Sequence, residues 1–151
     1  MRTLQAEIAA QTEHLTENAS SVYSTAVQNG NPSIVSAAGR LLQAATETTL
    51  QSKRYLLSSA PPDLDAFVEK NTAFNRAAEQ IQRLGATGSL ESQIASLIEA
   101  NRGLEDNMRQ FSQARQTAFD LQSNVIDQIG SEIDACFDRF SDDLQMRQEL
   151  L

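Results

Sequence analysis

The chain reads as an all-α protein, an elongated antiparallel helical bundle with one very long C-terminal helix. Three observations predict it. From Ser89 onward more than sixty residues pass without a proline. Apolar residues there recur at alternating steps of four and three, the helical period. The six glycines and three prolines cluster at a few places, as punctuation between long elements. At 151 residues, with 40% apolar content and no tryptophan, the composition suits a bundle with Leu, Ile and Ala seams, read as a single domain over 1–151.

The first helix is expected at about 2–28, with Leu4, Ile8, Leu15, Val22 and Ala26 as its stripe and polar Gln11 and Asn18 on the same line. Asn29-Gly30-Asn31-Pro32 breaks the pattern, and Pro32 suits a helix start. The second helix covers about 33–58, with Ile34, Leu41, Ala45, Leu50, Leu56 and Leu57 supplying apolar contacts and with small, hydroxylated inner faces of Ala37, Ala38, Ala44, Ala45, Thr46, Thr48, Thr49 and Ser52. Ser58 to Asp63, with two prolines, forms the next turn. The third helix runs over about 62–84 with Leu64, Phe67, Asn71, Phe74, Ala78 and Ile81 in rhythm. Gly85 to Ser89 is the third turn, and Ser89 is a candidate N-cap. The last helix covers about 89–150. Leu90, Ile94, Leu97, Leu104, Met108, Phe111, Ala118, Val125 and Ile129 hold its stripe, and Ile133, Phe137, Phe140 and Leu144 continue beside it. Unbroken, it would be roughly 90 Å long. Gly103 and Gly130 inside it mark a bend or a close packing point.

Short turns make neighbouring helices antiparallel. Helices two and three can pair with the first half of the long helix, and helix one is free to swing over the second half. The far half then has too few partners in one chain. A homodimer, or a further N-terminal helix, would cover it. Both ends lie inside helical pattern, so the chain is expected to be a piece of a larger protein.

Net charge is −8, the wrong sign for binding nucleic acid phosphate. The single cysteine, Cys136, forms no intrachain disulfide or cysteine metal cluster, and its place between Ile133 and Phe140 reads as a buried small hydrophobe. No stretch is long and apolar enough to span a membrane, so any membrane attachment belongs to segments outside this chain.

Little here points to catalysis. The one histidine, His14, has Glu13 and Glu17 nearby and reads as a solvated helix-face residue. No Glu-x-x-His pair supports a di-iron site, and Gly85-Ala86-Thr87-Gly88 lacks the lysine and strand of a phosphate loop. No metal, no cofactor and no enzyme activity are expected.

Polar residues on apolar seams are the stronger signal. Asn101, Arg115 and Gln122 fall on the stripe of the long helix. A buried Arg115 needs a carboxylate, either internal or on a ligand. Thr48, Ser52 and Asn71 could add neutral hydrogen bonds, with Arg54 and Arg109 as further cations. On the plainer reading Arg115 snorkels to the rim, and Thr and Asn only set the register.

Three stretches resemble the extracytoplasmic helical sensor domains of bacterial chemoreceptors and sensor kinases, of the four-helix-bundle and helical bimodular types. They are AATETTLQSKRYL at 44–56, LIEANRGLEDNMRQF at 97–111, and VIDQIGSEI at 125–133. The resemblance implies a periplasmic domain that binds a small molecule, often an organic acid or amino acid. It also implies that a small shift of the last helix passes the signal through the membrane. The competing expectation is a structural or adaptor coiled-coil protein that acts through helix–helix contact.

Overall fold

A computed structural model describes residues 2–150, and among them are four helices and no strand. They are α1 (Arg2–Asn29), α2 (Pro32–Ser58), α3 (Pro61–Arg83) and α4 (Gly88–Glu149). The chain is all-α, and its last helix, at 62 residues, is more than twice the length of any other.

Local chemistry accounts for each break. Pro32 opens α2, where its missing N–H falls among donors that have no intrahelical partner. Asn31 caps that end, its Oδ1 accepting from the N–H groups of Ser33 at 3.0 Å and Ile34 at 3.4 Å. At the far end Ser59 takes a left-handed conformation (φ 53°) and returns its N–H to the Tyr55 carbonyl at 2.7 Å. Ala60 cannot cap α3 with a side chain. Ser58 serves instead, accepting from the Ala60 N–H at 3.1 Å and donating to the Asp63 carboxylate. Gly85 (φ 81°) supplies the positive φ that turns the chain toward α4.

The chain divides into two compact units, Met1–Ser112 and Gln113–Leu151. The first holds α1, α2, α3 and residues 88–112 of α4. Its core is a seam from each helix. Ile8, Leu15 and Val22 come from α1, and Phe67, Phe74 and Ile81 from α3, both sets spaced by seven. Ala37, Ala38, Ala44 and Ala45 are buried on α2, and these short side chains let α2 pack against both α1 and α3. From α4 come Leu90, Ile94, Leu97, Leu104, Met108 and Phe111. Phe111 meets Tyr55 edge to face, with ring centroids 5.6 Å apart.

Helix α1, which the sequence left free to cover the later half of α4, lies in this first unit. The Thr16 and Thr49 hydroxyls are 3.0 Å apart, and Asn107 Nδ2 donates to Gln11 Oε1 at 3.0 Å. Gly103 marks the close packing point: a Cβ there would lie 3.4 Å from Gln11 Nε2.

The second unit is the remainder of α4. Nearly every side chain in it is exposed: its large apolar residues on α4 range from 45% exposed at Leu144 to 67% at Phe137, and Leu150, just past the helix, is 87% exposed. Cys136 departs from expectation. It is exposed, with Arg139 Nη2 3.7 Å from its sulfur. The helical period correctly puts it beside Ile133 and Phe140, but within this unit no second helix lies over that face.

Candidate functional site

Five polar side chains are buried among the described residues, and all four helices contribute: Thr12, Thr48, Ser52, Asn71 and Asn101. Their register follows from the turns. Counting outward from Ser59 and Ala60 along antiparallel helices puts Thr48 level with Asn71, and Ser52 level with Phe67. The Asn71–Asn101 contact fixes the level on α4, and the contact of Thr49 with the Thr12 carbonyl, at 3.2 Å, fixes it on α1. The bundle thus carries a polar layer between apolar layers.

On the α3–α4 side the layer is a closed amide network. Asn71 Nδ2 donates to Asn101 Oδ1 at 2.7 Å. Asn101 Nδ2 lies within reach of three acceptors: Asn71 Oδ1 at 3.2 Å, Asn75 Oδ1 at 2.8 Å and Glu105 Oε1 at 3.2 Å. Asn75 Nδ2 also donates to Glu105 Oε1, at 2.8 Å. An amide offers two donors and an acceptor with two lone pairs, so two buried asparagines can satisfy each other and still reach outward. Here they reach toward the half-buried Asn75 and Glu105.

The network borders a groove of about 450 Å³ between α3 and α4. Its apolar wall is Leu64, Phe67, Val68 and Met108, and its polar lining includes Asn71, Asn75, Glu105 and Arg109. Arg109 stands exposed at the rim, where its Nη1 reaches Asp106 Oδ1 at 3.3 Å. The groove therefore presents an apolar wall, neutral amides, one carboxylate and one guanidinium. That set can hold a molecule carrying a carboxylate and a donor group beside a short apolar body. Among the described residues, no group of three or more His, Cys, Asp or Glu side chains could hold a metal ion.

The residues singled out from sequence separate into groups. Asn71 and Arg109 line the groove, and Asn101 lies directly behind it through Asn71. Thr48 and Ser52 are buried on α2, and neither hydroxyl has a hydrogen-bond partner among the described residues. Arg54 is exposed on α2. Arg115 is exposed and belongs to the second unit, so the first unit's groove is built without it. Sequence reasoning missed Asn75 and Glu105. The signal was present: they stand four residues after Asn71 and Asn101, one helical turn along the same faces.

Comparison with protein-family models, with curated proteins and with solved structures finds no match.

Proposed function

We propose that this chain is a sensing module of a bacterial transmembrane chemoreceptor or sensor kinase, which takes a small organic acid or amino acid in the α3–α4 groove. One observation carries the reading: charged and amide groups of both signs and both hydrogen-bonding senses converge on one apolar-walled groove. Arg109 would pair with a ligand carboxylate, and Glu105 with an ammonium or hydroxyl donor. The three sensor-like stretches support the same reading. So does the architecture of α4. The helix that supplies Glu105, Met108 and Arg109 continues to Glu149, so a ligand-driven shift of its groove-lining part has a continuous helix to travel along. Membrane attachment would lie outside this chain, since no helix among the described residues is long and apolar enough to cross a bilayer.

The test is a thermal-shift screen against organic acids, amino acids and amines. A ligand at 100 times its dissociation constant adds about 2.7 kcal/mol of stability, which raises the melting temperature by roughly 10 °C in a domain of this size. The expected result is a rise for acids or amino acids that shrinks in Arg109→Ala and in Glu105→Gln. A screen without any rise, or a rise that survives both substitutions, refutes the assignment of this groove. The competing reading, a module acting through helix–helix contact, draws on the exposed apolar face of the second unit.

A further inference from the structure

Helix α3 borders a second groove, on its α2 side. Arg76 and Gln80 line it opposite Arg40 of α2, and its volume is about 430 Å³. Much of the remaining lining is alanine, Ala37 and Ala44 from α2 with Ala73 and Ala77 from α3, and these methyl-sized side chains leave the space open. Counting outward from Ser59 and Ala60 sets Arg40 and Arg76 about three residues apart in level, roughly 4.5 Å along the helix axes. The Lys70–Glu47 ion pair, at 3.4 Å between the same two helices, agrees with that register.

Both arginines are exposed, and neither has a hydrogen-bond or ion-pair partner among the described residues. The carboxylates beside them are committed elsewhere. Glu47, the one carboxylate of α2, accepts from Gln43 Nε2 on Oε1 at 3.2 Å and meets Lys70 Nζ through Oε2 at 3.4 Å. Glu79, three residues past Arg76, pairs with Arg83 at 3.8 Å. In a chain of net charge −8, this groove thus holds two uncommitted positive charges, one from each helix. Packed helices stand about 8–10 Å apart, within the combined reach of two arginine side chains. Both guanidiniums can therefore close on one group.

We propose that the α2–α3 groove binds a phosphate group, as inorganic phosphate or as a small phosphate monoester. A carboxylate has two oxygens in one plane, and a single guanidinium occupies both. A phosphate group presents at least three acceptor oxygens in a tetrahedral arrangement and carries about −1.5 to −2 charge at pH 7. It can take a two-pronged pair from each arginine and be neutralised by the two together. The space continues past Arg40 and Gln80 toward the start of α2, where Ser33 and Ser36 add hydroxyls. That extension has the polarity to seat the body of an ester. The site shares no residue with the α3–α4 groove and does not depend on what binds there.

The experiment is isothermal titration calorimetry on the full chain in a low-salt chloride buffer, with inorganic phosphate, glycerol 3-phosphate and succinate titrated separately. One phosphate compound is expected to bind per chain, and the tighter of the two identifies the source. Arg40→Gln and Arg76→Gln should each raise its dissociation constant at least about tenfold. Arg40→Lys should recover only part of that loss, because an ammonium makes no two-pronged contact. Arg102→Gln changes an exposed arginine of α4 and should leave binding as it was. Melting temperatures without ligand check that each variant stays folded. Four results overturn the proposal: no saturable binding of either phosphate compound, succinate binding as tightly as phosphate, phosphate binding that survives Arg40→Gln or Arg76→Gln, or an equal loss in Arg102→Gln.

Discussion

The buried amide pair makes a quantitative prediction for a double-mutant cycle. Replacing Asn101 with Leu removes every partner of Asn71 shown in the network, and Asn71 is only 3% exposed. A stranded buried amide costs about 1–3 kcal/mol. Asn75 and Glu105 also lose Asn101, but they are half-buried and retain each other, so their share is small. Asn71→Leu should cost less than Asn101→Leu, because the Asn101 amide nitrogen keeps Asn75 and Glu105. The double substitution removes both polar groups together, and such exchanges approach neutrality when the shape is kept. The singles should therefore be non-additive, with a coupling of about 1–3 kcal/mol. Urea unfolding followed by tyrosine fluorescence is the assay. The chain has two tyrosines and no tryptophan, and Tyr23 and Tyr55 both fall in the first unit. Additive single costs, with coupling below about 0.5 kcal/mol, would refute the idea that these amides depend on each other.

Two further substitutions test the same packing logic. Thr48→Val replaces a fully buried hydroxyl that has no partner among the described residues with a methyl group, and should stabilise the first unit by about 1 kcal/mol in the same urea assay. Gly103→Ala puts a Cβ 3.4 Å from the movable end of the Gln11 side chain, so the helix-propensity gain of up to about 1 kcal/mol should prevail and raise the melting temperature. A fall would show that α1 cannot yield at that point.

Much of this architecture was legible in sequence because its causes are local. Pro32, the Pro61–Pro62 pair and the Gly85–Gly88 turn act on their own neighbours, and the helices begin and end within a residue or so of the expected places. The four–three rhythm likewise names most of the buried residues of the first unit, but it passes over Thr12, Ala19 and Tyr55 and puts Leu50 and Leu57, which are exposed, among the packed residues of α2. Pairings between helices were harder. That Asn71 meets Asn101 across thirty residues depends on turn geometry and register, which no single helix encodes. Asn75 and Glu105 were overlooked because each sits just off its seam, where a polar residue looks ordinary. Cys136 and Arg115 show a different limit. Periodicity states which side of a helix is apolar, but it does not say whether anything lies over that side.

The order in which the first unit's helices leave the ribosome has its own consequence. Helices α1 to α3 pack on their immediate neighbours in sequence, through short-range contacts of the kind that form quickly. The Gln11–Asn107 bond spans 96 positions and joins the first helix to the last. A nascent chain that stops short of α4 therefore holds three helices around an open trough, with the Asn71 amide still awaiting its partner. That trough is the surface a chaperone would find, and it disappears only when residues 88–112 fill it. Translation pauses within α4 should lengthen that exposure, whereas pauses after Ser112 should not.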